Sequence, residues 1–157
     1  MGYSHTIQNI EALNNQEISI IVKETIQVFE SLKSGGHCKL EVYHEEAERA
    51  YLASRMKDVF QRYTERNGNF DYYINFNGAE LGEGCETFSL NLSGKGDVAC
   101  VKTSRYAYDI YVCAFILIAY KHCHLKYEIS SNGSYNDWLP IINRLKEVSG
   151  LTYRMPF

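Results

Sequence analysis

The residues with the clearest chemical potential form a basic, hydroxyl-bearing stretch just before an apolar segment. Residues 102–105 read KTSR, Asp109 follows, and 110–120 is apolar throughout. A helix beginning near Asp109 would place unpaired backbone N–H groups and the positive end of its dipole beside this stretch, which suits a phosphate or carboxylate. The stretch therefore predicts a small anion site, although it lacks the glycine spacing of a P-loop. The groups that would hold the anion are Lys102, Thr103 and Arg105.

The same residues have a structural interpretation, and an enzymatic one is also open. Asp109 and one hydroxyl can satisfy the helix end while Lys102 and Arg105 remain solvated. Glu86, Asp109 or a histidine could instead transfer protons in a hydrolase or nuclease. Acid–base catalysis needs two positioned groups, and no spacing places a histidine and a carboxylate on one helix face with a nucleophile. We therefore expect a binding protein with no catalytic residues, and a hydrolase is the weaker alternative.

Aromatic and polar side chains near this stretch would complete a nucleotide site. Tyr106, Tyr108 or Trp138 could stack on a base, and the alternative for Trp138 is a lid on the core. Glu86 falls in phase with Phe88 in a predicted strand and would reach under the sheet toward Lys102 or Arg105. The alternative is that it is simply exposed at the start of the strand. The predicted ligand-binding set is Lys102, Thr103, Arg105, Tyr106, Tyr108, Asp109, Glu86, Ser130, Asn132 and Trp138.

Three motifs lie in order within residues 74–139. They are ETF at 86–88, CVKTSRYAYD at 100–109, and EISSNG at 128–133 with a following DW at 137–138. Together they resemble a family of small, mostly uncharacterised proteins of bacteriophage and bacterial genomes. Its members carry an FNG strand, an ETF strand, a C-K-T-x-R-x-P-Y-D turn into an apolar helix, and a V-S-S-D-G-x-W ending. This chain differs by an extra Val101, by Ala107 in place of proline and by Asn132 in place of aspartate.

The resemblance implies a shared fold and supplies no established activity. Its association with phages implies a specific form of nucleotide binding, namely a sponge that sequesters a nucleotide immune signal and so counters host defence. Such a phage protein would work in the host cytoplasm. Residues 38–69 look like an elaboration on the family pattern, and they could carry a partner contact or a subunit interface. A structural protein that assembles as a homo-oligomer through a tyrosine-rich surface is the alternative, because the chain has 13 tyrosines and tyrosine is enriched at interfaces.

Composition narrows the class of protein. A chain of 157 residues predicts a single α+β domain spanning 1–157. The net charge of −3 gives no global attraction to long nucleic acid or to anionic membranes, so any anion site must be local. Five cysteines, an odd number, favour free thiols over a disulfide framework. With no signal-like N-terminus and no apolar run of membrane-spanning length, the expected compartment is the cytoplasm.

A metal site is suggested only by His122, Cys123 and His124, which are adjacent in the sequence, with Cys113 a few turns earlier. Adjacent side chains point apart, and there is no CxxC or HxxxH spacing to supply further ligands. Histidines near the negative end of a helix dipole explain this cluster more simply. We therefore expect neither a metal nor a cofactor.

Periodicity and capping signals predict the elements that must position these residues. The first half of the chain predicts a strand at 3–10, a helix from Asn14 with a capping box to Glu17 and an end at Gly35, an edge strand at 39–43 and a charged helix at 45–65. Two antiparallel strands follow at 70–77 and 85–92, and then a buried helix from Asp109. The last elements are a strand at 126–131 and a helix that is capped by Ser134 or Asn136 and has Pro140 in its first turn. The predicted fold is α+β. It has a mostly antiparallel sheet of about four to six strands, packed by the buried helix and two or three amphipathic helices.

The cysteine count gives a first testable prediction. We expect thiol titration of the denatured protein, without reductant, to find five free groups. A lower count that reductant restores would show that disulfides form.

Overall fold

The computed structural model describes residues 3–44, 49–64, 70–79, 86–103 and 107–157. These residues form an α+β fold, as predicted. Its elements are β1 (Ser4–Asn9), α1 (Asn15–Ser34), β2 (Leu40–His44), β3 (Arg49–Leu52), β4 (Phe60–Thr64), β5 (Phe70–Gly78), β6 (Phe88–Asn91), β7 (Val98–Lys102), α2 (Asp109–Cys123), β8 (Tyr127–Ser131) and α3 (Tyr135–Ser149).

The strands are arranged in two antiparallel sheets. One has the order β7-β1-β8, so that β1 is hydrogen-bonded on both sides. The other has the order β3-β2-β5-β4, with β6 also paired to β5. Half-buried and buried positions alternate along β1, and its buried face carries His5, Ile7 and Asn9. The central strand of the smaller sheet therefore presents a histidine to the interior.

Helix α2 lies at the centre of the core, as its apolar sequence predicts. Residues 111–119 are all buried, so the helix has no solvent-facing stripe over this length. Phe115 packs edge-on against Phe88 of β6, with ring centroids 5.6 Å apart. Phe29 of α1 packs against Tyr111 of α2 and against Phe76 of β5. Because α1 contacts both α2 and the larger sheet, one continuous core joins these elements.

The helix ends confirm most of the sequence signals. The Asn14 side chain accepts from the Glu17 N–H at 2.8 Å, and Glu17 accepts from the Asn14 N–H at 3.0 Å, which is the predicted capping box. Helix α3 follows Ser134 and ends at Gly150, whose φ of +76° is one that glycine adopts without strain. Pro140, however, is the sixth residue of α3, so its predicted place in the first turn is wrong.

The charged helix predicted over 45–65 is wrong. Within the described part of this stretch the chain forms β3, a short 3-10 turn at Met56–Val59, and β4. A helix would bury Leu52 with Met56, but the Leu52 side chain is 56% exposed. Strand β4 pairs with β5 along its whole length, and this pairing overrides the local helical pattern. The predicted edge strand 39–43 is also corrected, because β2 lies between β3 and β5.

Two further features bear on the sequence predictions. The stretch before the basic residues forms a separate strand, β7, which sequence analysis did not identify. Its Ala99 and Val101 are buried, so Val101, which the family pattern lacks, is a core residue. Among the helices of the described residues, none has the length and apolar character needed to cross a bilayer.

Burial of α2 leads to a second prediction. Leu117 is buried at its centre, so Leu117→Ala should lower the free energy of unfolding by about 2 to 5 kcal/mol, because it removes buried methyl groups and leaves a cavity. Leu125→Ala is the matched control, because Leu125 is 77% exposed and its replacement should change stability by less than about 0.5 kcal/mol. Equal effects of the two substitutions in urea denaturation would contradict the central position of α2.

Candidate functional site

The candidate site is a buried polar network around His5 and Asp109. His5 Nε2 lies 2.8 Å from Asp109 Oδ1, and the Thr103 hydroxyl donates to the same oxygen at 2.5 Å. On the other side of the ring, His5 Nδ1 lies 2.7 Å from Ser131 Oγ. Cys113 Sγ completes the network, 3.4 Å from His5 Nε2 and 3.6 Å from Asp109 Oδ2. Five side chains from four parts of the chain therefore meet around one imidazole.

The fold brings these side chains together through strand register and helix periodicity. His5 lies opposite Ser131 of β8 and opposite Val101 of β7, so the ends of both neighbouring strands converge on it. Asp109 and Cys113 are four residues apart in α2 and share one helix face. Because β1 is central in its sheet and α2 is central in the core, the network lies where the two are joined.

The hydrogen-bond partners of Ser131 define which atoms donate and which accept in this network. Ser131 Oγ accepts from the Gly133 N–H at 2.9 Å and from Trp138 Nε1 at 3.3 Å. Its own O–H therefore donates to His5 Nδ1, and His5 donates through Nε2–H to Asp109. This is the polarity of a Ser–His–Asp triad. However, both acceptor positions of the Ser131 oxygen are already used, which favours an orienting role over nucleophilic attack.

Cys113 is also poorly suited to nucleophilic catalysis. Burial raises the pKa of its thiol well above the usual value, and the neighbouring Asp109 carboxylate adds to this. The thiol is therefore protonated at neutral pH, whereas cysteine nucleophiles act as thiolates. Cys113, Cys38, Cys100 and Cys123 are free thiols, and Cys85 lies outside the described residues.

Asp109 connects the network to a surface cleft of about 390 Å³. The cleft lies between the first turns of α2 and α3 and the segment that follows α1. Its lining residues are Tyr3, Gly36, His37, Cys38, Ala107, Asp109, Ile110, Asp137 and Ile141. The Asp109 side chain is 12% exposed, so it is the member of the network that both lines the cleft and contacts the buried histidine.

His37 contributes a second polar group to the cleft. Burial lowers the pKa of His37 below its usual value, and the positive charge of Arg144 lowers it further, so the ring is neutral at pH 7. Arg144 Nε donates to His37 Nε2 at 3.0 Å. A neutral imidazole that accepts at Nε2 carries its proton on Nδ1. The residues that line the cleft therefore include a carboxylate and an imidazole that carries an N–H donor.

Several predicted anion-binding groups are already engaged within the protein. Thr103 is buried and donates to Asp109, so its hydroxyl is not available for a phosphate, and its predicted role is corrected. Glu86 does reach the basic stretch, but it accepts from the backbone N–H of Lys102 at 2.6 Å. Tyr108 is buried, and its hydroxyl donates to the Glu86 carbonyl at 2.7 Å, so its ring offers no open face for a base. The exposed Lys102 remains compatible with anion binding.

The remaining predicted residues fall into three groups. Trp138 is completely buried and packs edge-on against His5 and Phe157, which favours the core-lid interpretation over stacking on a base. Ser130 and Asn132 are exposed at the end of β8 and beyond it. Arg105 and Tyr106 lie outside the described residues, so their predicted roles stay predictions.

Sequence analysis missed His5, Ser131 and Cys113. The one signal for His5 was its phase in β1, two residues before the buried Ile7, which placed an ionisable side chain on the inward face. Ser131 was noted only as a neighbour of the predicted stacking tryptophan. Cys113 was noted only as a cysteine a few turns before the His122–His124 cluster, and in the apolar run of α2 a cysteine commonly acts as a small hydrophobic residue.

The adjacent His122, Cys123 and His124 contact different partners. His122 contacts Glu24, and Cys123 donates to Glu17. The His124 ring packs against Tyr120. Their side chains therefore diverge, as predicted for adjacent residues.

Comparisons of this chain with protein-family models, with curated proteins and with solved structures found no match.

The buried pair leads to a third prediction. His5→Ala should lower the free energy of unfolding by about 3 to 5 kcal/mol, because it leaves the Asp109 carboxylate without its principal buried partner. His124→Ala is the matched control, since His124 is exposed and its loss should change stability by less than about 0.5 kcal/mol. A His5→Ala protein as stable as the control in urea denaturation would show that the pair does not stabilise the fold.

Proposed function

We propose that this protein binds a small nucleotide-like molecule, with the hydrogen-bond-donating part of the ligand in the cleft at Asp109. The observation that carries this proposal is the state of the Asp109 carboxylate. Oδ1 is held by His5 and Thr103, whereas the contact of Oδ2 is a long one of 3.6 Å to Cys113. A carboxylate fixed from inside the protein is preorganised to accept from a ligand, because little side-chain entropy remains to be lost.

The chemistry of the cleft favours a ligand with both donors and acceptors. Asp109 would accept from an amino or hydroxyl group, and the Nδ1–H of His37 would donate to a ring nitrogen or a carbonyl oxygen. Nucleobases and ribose present such groups side by side. The volume of about 390 Å³ lies within the range of small-molecule sites, roughly 300 to 1,000 Å³.

The anionic part of the ligand would lie outside the cleft, toward the end of β7. The described charged groups in the cleft wall are the carboxylates of Asp109 and Asp137, which disfavour a phosphate there. Lys102 is exposed at the end of β7, and Arg105 follows it in the sequence. Lysine and arginine are suited to phosphate, and arginine can bind it with two hydrogen bonds. The resemblance to phage proteins supports a ligand of the signalling-nucleotide class, and a sponge is the form of binding we propose.

A ligand screen tests this function directly. The purified protein is screened by thermal shift with mono-, di- and cyclic nucleotides, and hits are measured by calorimetry. Chromatography of the ligand recovered after denaturation then separates binding from turnover. Intact release supports a binding protein, a changed product supports the hydrolase alternative, and the absence of any stabilising nucleotide contradicts the proposal.

The basic stretch gives the fourth prediction. Arg105→Ala should weaken binding of the nucleotide found in the screen by about 1.5 to 3 kcal/mol, the scale of a hydrogen bond to a charged group. Its effect on the free energy of unfolding should stay within about 0.5 kcal/mol. Lys95→Ala is the matched control, because Lys95 is an exposed cation in a different loop. If Arg105→Ala binds as tightly as the control in calorimetry, the anion-binding role of the stretch is wrong.

Assembly through the β2–β3 hairpin is the second candidate function, and one observation favours it. All four residues of β3 are exposed, and β3 is the end strand of the larger sheet. Tyr43, Tyr51 and Leu52 add exposed apolar surface there. An uncovered edge strand with apolar side chains is a template for pairing with another chain. Light scattering coupled to chromatography tests this, because a homo-oligomer should dissociate in Leu52→Lys.

A further inference from the structure

Three kinds of metal-binding atom converge in the buried network. His5 Nε2, an oxygen of Asp109 and Cys113 Sγ all lie within 4.8 Å of one another, and all three residues are buried. Among the described residues this is the one group of three histidine, cysteine or acidic side chains close enough to hold an ion. Nitrogen, thiolate and carboxylate ligands together suit zinc and similar divalent transition metals.

The distances from the thiol sulfur are close to the edges of a tetrahedral metal site. With metal–nitrogen and metal–oxygen bonds of about 2.0 Å and a metal–sulfur bond of about 2.3 Å, the edges of a tetrahedron are roughly 3.3 to 3.6 Å. Sγ lies 3.4 Å from His5 Nε2 and 3.6 Å from Asp109 Oδ2. His5 Nε2 and Asp109 Oδ1 are closer, at 2.8 Å, because they share a hydrogen bond. The two groups would therefore have to move apart for an ion to replace that proton.

We propose that His5, Asp109 and Cys113 bind a divalent transition metal of the zinc class. The charge balance supports this, because a thiolate and a carboxylate together neutralise a dication in a site where burial would otherwise penalise net charge. Within the described part of the chain, no lysine or arginine pairs with Asp109, so a cation is well accommodated beside it. The proposal does not depend on the nucleotide-binding function.

The network already contains hydrogen-bond partners that would orient the metal ligands. A metal-bound histidine usually donates its other ring N–H to an oxygen, and bound carboxylates accept further hydrogen bonds. His5 Nδ1 lies 2.7 Å from Ser131 Oγ, and Asp109 Oδ1 accepts from Thr103. When the metal binds, Cys113 releases its thiol proton to solvent, and the His5 proton moves from Nε2 to Nδ1. The Ser131 hydroxyl then accepts from His5, which weakens its long 3.3 Å contact with Trp138.

The cleft gives a metal ion access to the three ligands and adjoins its fourth coordination position. Three protein ligands leave one coordination position open, which is the arrangement of catalytic rather than structural zinc sites. Asp109 lines the cleft, so an ion, and then a water molecule or a ligand atom, can approach along its side. This inference replaces the sequence-based expectation of no metal. His5 and Asp109 are 104 residues apart in the chain, so no spacing motif could indicate the site.

Cobalt titration tests the proposal. Protein freed of metal by a chelator under reducing conditions is titrated with Co²⁺, and we expect one equivalent to bind with thiolate-to-cobalt charge-transfer absorption and release of one proton. Zn²⁺ should displace the cobalt and raise the melting temperature. Cys113→Ala should abolish the charge-transfer band, and Thr103→Val should weaken metal affinity about 10- to 100-fold, as expected for loss of an outer hydrogen bond.

Matched controls separate this site from other thiols and histidines. Cys100→Ala and His124→Ala change exposed side chains outside the network and should bind cobalt as the parent protein does. Failure of the parent protein to take up one equivalent of cobalt with thiolate absorption overturns the proposal, whether or not the variants fold. Thiolate absorption that survives in Cys113→Ala, or that disappears in either control, assigns the metal elsewhere and also overturns it.

Discussion

The His5–Asp109 contact is the interaction on which the rest of this structure depends. Asp109 is the first residue of a helix whose residues 110–120 are all apolar, and it is itself buried. An unpartnered carboxylate there would oppose folding by several kcal/mol. His5 and Thr103 remove that penalty by hydrogen bonding, and in doing so they join β1 and the end of β7 to α2. The contact therefore fixes the smaller sheet against the central helix.

This network also explains why the proposed ligand cleft and the proposed metal site share Asp109. A buried polar network is stable only when its members are satisfied, so each member holds the next in one orientation. The carboxylate that reaches the cleft is consequently rigid, which favours binding of a small ligand. The same rigidity would hold three potential metal ligands within 4.8 Å of one another. Both proposals use one physical property, which is a preorganised carboxylate backed by a histidine.

The larger sheet presents a different kind of surface. Its strands β5 and β6 pack against the central core, whereas the β2–β3 hairpin carries exposed apolar side chains at the other end. The two proposed functions, ligand capture and self-association, would therefore use separate parts of the chain. An oligomer formed through β3 would leave the Asp109 cleft unaffected, since none of the residues lining that cleft belongs to β2 or β3.

The sequence by itself determined the features that depend on near neighbours in the chain. The apolar run of α2 required burial whatever lay around it, because no helical face was polar. The Asn14 and Glu17 side chains capped α1 through bonds that span three residues, so the sequence order alone could specify them. Alternation in β5 and β6 likewise predicted a pair of half-buried strands.

Only the tertiary structure decided the features that join distant parts of the chain. The pattern over 45–65 suited a helix, but pairing of β4 with β5 supplied backbone hydrogen bonds and burial that local propensity could not outweigh. Thr103 appeared free to bind phosphate until the fold placed Asp109 against its hydroxyl. His5, Ser131 and Cys113 acquired a common role because strand register and helix periodicity brought them together. Such convergence depends on how whole elements pack, and a linear sequence read one segment at a time does not contain it.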